Sequence, residues 1–247
     1  DDVSKAEEVD VVFLGLTAEE SLAEAPKYLK AGARVVDLSG AFRIDAGDYP
    51  AYYGFPHTEP GLLRDAAYGL TEIFADRIRG AKLVANPGCY STGALLALAP
   101  PARDGLFTDE VIIVDSKSGI TGAGRSPKVG TLFAEVNENI YAYRLGKHQH
   151  TPEIAKYMTT EKTGSVMFTP QVVPMDRGIY TCAYAPLRPG KTAADVRTSL
   201  SRAYGKSPFV RVLADGEVPS TKAVAGTNFA DIAVGPEVGG RATIISA

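Results

Sequence analysis

The stretch Asn86-Pro87-Gly88-Cys89-Tyr90 places a thiol directly after a glycine and directly ahead of Ser91–Ala99, whose composition is that of a buried helix. The double proline Pro100-Pro101 is expected to end that helix. Cys89 then falls at or just before the first turn, where backbone N–H groups lack intrahelical partners and carry partial positive charge. That field favours a thiolate. Gly88 removes a side chain beside the sulfur, so a carbonyl carbon can approach closely. The competing reading is a small cysteine filling a gap in the core. The other cysteine, Cys182 in GIYTCAYAP, alternates with apolar neighbours and reads as a core strand residue.

A nucleophilic thiol needs a base, and the chain has three histidines. His57 follows a proline in an irregular region. His148 and His150 stand together in GKHQHTPEI; in extended backbone they point to one side. Thr151-Pro152-Glu153 reads as an N-cap followed by a proline at the first helical position, opening a helix over Thr151–Lys162. His150 precedes that cap, where the helix dipole disfavours imidazolium and leaves a neutral base. A pair of surface or capping histidines is the alternative. Cys89, His148 and His150 could also ligate zinc, but no close cysteine pair or HExxH spacing accompanies them, so no metal site is expected.

The elements that must position these groups fall into two styles. Val9–Leu14 is a short β-branched run of the buried parallel type. Thr17-Ala-Glu-Glu20 is a capping-box pattern opening a helix that Gly32 stops, and Arg34–Leu38 is the next strand. Lys82–Ala85 is a further strand leading into the cysteine motif. Ser39–Ala81, rich in Gly, Pro, Asp and Tyr, reads as a long ordered loop region. Beyond the double proline come strands at Glu110–Asp115, Val166–Val173 and Gly178–Pro186, the last two around a turn at Pro174–Arg177. A Gly-rich loop covers Ser118–Ser126, and the N–H groups of Ser118–Gly122 could form an anion nest. Thr192–Tyr204 is an amphipathic helix with Gly205 as its C′ residue. Phe209–Leu213, Phe229–Val234 and Arg241–Ser246 add three more strands. The pattern predicts α/β followed by α+β: a partial Rossmann-like parallel sheet in residues 1–86, then a mixed or antiparallel sheet with helices on one face in residues 87–247.

The bulk numbers narrow the function. Of 247 residues, 45% are apolar and 22% charged, with a formal net charge of −3. That charge argues against a nucleic-acid partner, whose phosphates call for clustered Lys and Arg, and no apolar run approaches the roughly 18 residues that span a bilayer. The acidic opening DDVSKAEEVD is not a secretory signal, and two cysteines in apolar surroundings fit a reducing, cytoplasmic setting.

The segments NPGCYSTGALLAL, KSGITGAGR, YRLGKHQHTPEI and VVPMDRGIYT occur in the order found in N-acetyl-gamma-glutamyl-phosphate reductases, and VVDLSGAFRI and YGLTEI also resemble that family. The resemblance covers essentially the whole chain. It implies a nicotinamide-binding domain followed by a domain similar to that of glyceraldehyde-3-phosphate dehydrogenase, in a homodimer or homotetramer. It implies reduction of a small acyl-phosphate substrate to a semialdehyde with NADP(H), through a thioacyl intermediate on Cys89. His150, 61 positions downstream, is then the acid–base partner and His148, at 59, the competitor. Anionic substrate groups call for guanidinium forks, with Arg43 and Arg125 as candidates alongside Asn86 and Gly119. Gly15, Leu16, Thr17, Ser39, Ser118 and Gly119 are the expected cofactor-binding positions.

The sequence departs from that family in two respects. No glycine-rich G-x-x-G-x-x-G turn precedes Val9, and the family's C-terminal helix has no counterpart before Ala247. Without that turn the pyrophosphate loses a helix N-terminus, so weak NADPH binding is expected of this polypeptide. Two alternatives accompany the reductase reading, beside aspartate-semialdehyde dehydrogenase, which the KHQH segment disfavours. One is the homologous aminoadipyl-phosphate reductase, differing by a methylene worth about 1–3 kcal/mol. The other is a non-catalytic binding or oligomerisation domain.

Overall fold

The computed structural model describes residues 9–124, 126–158 and 165–247, and the chain forms two compact units, 1–88 and 89–247.

The first unit is built on four parallel strands: β1 (Val11–Leu14), β2 (Arg34–Asp37), β3 (Ala67–Tyr68) and β4 (Leu83–Ala85), in the order β1-β2-β4-β3. The helix α1 (Ala18–Lys30) crosses from β1 to β2. Thr17 caps it as the sequence predicts: its Oγ1 accepts the Glu20 N–H while the Glu20 carboxylate accepts the Thr17 N–H at 2.9 Å. Leu22, Ala25 and Tyr28 on one face of α1 pack on Val35, Leu83 and Ala85. Two expectations are corrected here. The first strand is an edge strand rather than a buried one, with Phe13 68% exposed. And Ser39–Ala81 is not loop: it holds a 3₁₀ turn, α2 (Tyr49–Tyr52), α3 (Pro60–Asp65), β3 and α4 (Thr71–Ile78). Its aromatic side chains drive that order, because Phe42, Tyr49 and Tyr68 are fully buried.

The second unit is a seven-stranded mixed sheet. Its strands are β5 (Ile112–Ser118), β6 (Tyr141–Ala142), β7 (Val166–Val172), β8 (Ile179–Pro186), β9 (Val210–Val212), β10 (Ala230–Val234) and β11 (Arg241–Ser246), in the order β6-β7-β5-β8-β11-β10-β9. Helices α5 (Cys89–Arg103), α7 (His150–Met158) and α8 (Ala193–Tyr204) cluster with it, and the short α6 (Phe133–Val136) and α9 (Thr221–Val224) lie in connections. The expected parallel-plus-mixed architecture is what forms.

Four local readings change. α5 runs straight through Pro100-Pro101 to Arg103 instead of stopping. Each proline forfeits one amide donor, but the preset φ suits a helix and Leu98, Ala99 and Ala102 are buried around the pair. α7 begins at His150, so Thr151 is inside the helix: its N–H already donates to His148 O at 2.9 Å. Gly205 ends α8 with φ −57°, right-handed rather than left-handed. β7 and β8 are not hairpin partners, because β5 lies between them, parallel to one and antiparallel to the other. Among the described residues no helix is long and apolar enough to cross a membrane.

Candidate active site

Cys89 is the first residue of α5 and is exposed, so it does not fill a core gap. The helix behind it is anchored deep in its unit. Gly93 lets β11 approach so closely that an added Cβ would sit 3.3 Å from Ser246 Oγ, which donates to Gly93 O at 3.1 Å. Tyr204 Oη of α8 donates to Leu96 O at 2.7 Å. The thiol therefore stands on a rigid helix start, with backbone N–H groups around it. Cys182 is half-buried on β8, where burial raises its thiol pKa.

Two cavities meet at the sulfur, and Cys89, Ser118, Gly119 and Gly122 line both. One, of about 430 Å³, also takes in His148, His150, Tyr143, Arg144 and Lys128. The other, of about 500 Å³, is walled by Arg177, Leu96 and Phe229 among others. The sequence-predicted cysteine and histidine pair are thus brought to one cavity. Arg177 and Lys128 are additions the sequence reading did not single out.

Both histidines are buried, His148 3% and His150 6% exposed, with ring centroids 4.7 Å apart. The Nδ1 of His148 accepts the His150 backbone N–H at 3.1 Å, so neutral His148 carries its proton on Nε2. Tyr90, Tyr143 and Phe168 pack edge-on against the His148 ring. This burial, with His150 and the Arg144 charge nearby, pushes the His148 pKa down to about 3. His150 Nε2 lies 3.8 Å from a carboxylate oxygen of Glu153, which is fully buried one helical turn along α7. Glu153 was legible in HTPEI as an i,i+3 partner once the helix start is moved to His150. Tyr143 Oη donates to Tyr90 Oη at 3.2 Å, and Tyr90 Oη donates to Gln171 O at 3.0 Å. His57 is elsewhere engaged: one ring nitrogen sits 2.8 Å from Ala41 O and the other accepts the Glu59 N–H.

Ser118 ends β5 on its inward face, and Gly119 follows at a place only glycine fits. A Cβ there would lie 2.6 Å from Asp176 O and 2.8 Å from Arg177 N. The expected anion nest is absent, because its amides are already engaged. Gly119 N–H donates to Gly178 O, Ile120 N–H to Met175 O, Thr121 N–H to Asp176 O and Gly122 N–H to Gly119 O. The loop is a clamp on the 174–178 turn, not a phosphate cradle.

The candidates in the first unit are internally committed. Arg43 is 6% exposed and donates from Nη2 to Leu38 O at 2.7 Å, while its buried Nε has no hydrogen-bond partner. Ser39 Oγ donates to Asp37 at 2.9 Å and accepts the Ala41 N–H at 3.0 Å. Asn86 Nδ2 donates to Pro87 O at 3.3 Å. Thr17 is occupied by the Glu20 carboxylate, whose pKa is lowered by the Thr17 N–H and hydroxyl. Gly15 has open space around its α-carbon and Leu16 is exposed. Arg125 lies outside the described residues.

With this geometry, the comparisons agree on a class. Residues 89–247 match the semialdehyde dehydrogenase dimerisation domain and residues 1–81 its NAD binding domain. The chain belongs to the semialdehyde dehydrogenase family. Within it, the chain is 45% identical over 251 residues to the N-acetyl-gamma-glutamyl-phosphate reductase of Pelobacter propionicus, covering 99% of this chain and 72% of that one. It is 43% identical over 247 residues to the reductase of the same name from Geobacter sulfurreducens, covering 98% and 71%. Among solved structures it resembles aspartate semialdehyde dehydrogenase II of Vibrio cholerae complexed with ASA, with TM-score 0.75, 15% identity and coverage of 100% and 76%. It also resembles the Candida albicans aspartate semialdehyde dehydrogenase with NADP, with TM-score 0.69, 15% identity and coverage of 97% and 72%.

Proposed function

We propose that this chain reduces N-acetyl-gamma-glutamyl phosphate to the semialdehyde through a thioester on Cys89. The observation that carries the reading is the exposed thiol at the start of α5, in one cavity with His148 and His150. The thiolate attacks the acyl carbon, a C–S bond forms, and the C–O bond to phosphate breaks. The thiol proton passes to the histidine pair, with His150 the acceptor. His148 cannot easily accept it, because its free lone pair is held by the His150 N–H. Its Nε2–H instead suits donation to the oxyanion that develops on the carbonyl. Lys128 and Arg144 balance the substrate's negative charge, and among the described residues no acidic side chain lines that cavity.

A bound nicotinamide supplies the hydride that reduces the thioester. The thiolate then leaves, the semialdehyde is released, and Cys89 recovers its proton from the histidines. NADP(H) is the form we assign, in line with the Candida albicans relative. The residues of the first unit fit the ring and ribose portions of such a cofactor and not its diphosphate. Gly15 and Leu16 offer open backbone and apolar surface, whereas the start of α1 is closed by the Glu20 carboxylate. The match of residues 89–247 to a dimerisation domain supports a homo-oligomer.

Acylation can be read without any nicotinamide. The chain is mixed with N-acetyl-gamma-glutamyl phosphate, and intact mass and released phosphate are followed. One acyl group on Cys89 per phosphate released is the expected result, lost in Cys89→Ser. A wild-type chain that stays unmodified overturns the proposal.

A further inference from the structure

The arm between α6 and α7 contains two non-glycine residues in left-handed backbone, Glu138 at φ 58° and Arg144 at φ 46°. Such a residue is strained and persists where its surroundings dictate it, often at ligand clamps. Arg144 lines the cavity of about 430 Å³ that holds Cys89 and both histidines. Its Nη1 donates to Gln149 Oε1 at 2.8 Å, which orients the guanidinium without neutralising it. Its charge acts on His148 and on the Tyr143 phenol, and that phenol also interacts with the Cys89 sulfur. The guanidinium is therefore exposed, charged, aimed by a neutral amide, and within electrostatic reach of the reacting groups.

Resting on the reading above, we propose that Arg144 is the residue that selects substrates bearing a carboxylate remote from the acyl phosphate. The phosphate is attached to the reacting carbon and departs from the sulfur, so a second fixed cation on the arm has the substrate's other anion to bind. Lys128 also lines the cavity but is a point charge without the planar fork that matches a carboxylate. Gln149 is the partner from which the incoming carboxylate takes one N–H.

The test compares Cys89 acylation by N-acetyl-gamma-glutamyl phosphate and by 4-acetamidobutanoyl phosphate, which is the same molecule without the carboxylate. The quantity read is the ratio of the two second-order rate constants. We expect the full chain to favour the carboxylate by about 10- to 100-fold, the range of one charge-assisted hydrogen bond. Arg144→Gly, which accepts the left-handed backbone freely, should bring the ratio near one, and Arg144→Lys should fall between. A merely structural role slows both compounds alike and leaves the ratio unchanged. An unchanged ratio in Arg144→Gly, or a ratio near one in the wild type, overturns the assignment. If neither compound acylates the wild-type thiol, the reductase reading itself fails, which is a separate and visible result.

Discussion

The Nδ1 atom of His148 accepts the backbone N–H of His150 at 3.1 Å, so two adjacent imidazoles are given different proton inventories. His148 is held neutral, with its pKa near 3, by burial against Tyr90, Tyr143 and Phe168. The unfolded chain binds a proton there near pH 6.5 that the folded chain refuses until about pH 3. Stability is therefore fully present above pH 6.5 and is lost as pH falls toward 3, by at most about 1.4 kcal/mol per pH unit. Denaturant midpoints at pH 5, 6, 7 and 8 should show a shallower pH slope for His148→Gln than for wild type. Parallel slopes would contradict the neutral-imidazole assignment.

Proton acceptance is expected of His150, steadied by Glu153 at 3.8 Å. His150→Gln should slow Cys89 acylation about 100-fold, within the usual range for a lost general base. Glu153→Gln keeps the side-chain shape and should slow it about 10-fold through lost orientation. Single-turnover phosphate release gives both numbers. A His150→Gln chain that acylates at the wild-type rate would move the role to His148.

Gly119→Ala puts a methyl 2.6 Å from Asp176 O and 2.8 Å from Arg177 N. Both are backbone atoms, so the 174–178 turn must shift. The expected cost is about 1–3 kcal/mol, read as a fall in unfolding midpoint, together with slower acylation because the turn carries Arg177 into the second cavity.

Thiol chemistry should separate the two cysteines. Iodoacetamide at pH 7 should label exposed Cys89 first, while half-buried Cys182, its pKa raised by burial, lags. Peptide mapping over time decides it. Equal rates would remove the argument for a specially placed sulfur.

Local signals carried much of this molecule. The capping box at Thr17 and Glu20, the strand Arg241–Ser246 and the helix starting after Thr192 all follow from short-range chemistry and form as read. The cysteine and the histidine pair were legible because their motifs are compact. What was missed is non-local. Nothing near Pro174 says that β5 will lie between β7 and β8. Pro100-Pro101 looks like a stop unless one knows that their surroundings are buried. The nest failed because Gly119, Ile120 and Thr121 face a turn more than fifty residues away that takes their amides. Arg43 is buried, with Nη2 on Leu38 O, and its burial is not legible in the sequence. Arg144 could not be singled out, since a left-handed arginine leaves no mark in the sequence.

The boundary between the two units falls on the peptide bond joining Gly88 to Cys89. Sulfur, imidazoles, buried glutamate and arm arginine are all encoded on the downstream side. Swapping the upstream portion for another would therefore leave every one of these side chains in its own continuous stretch of chain.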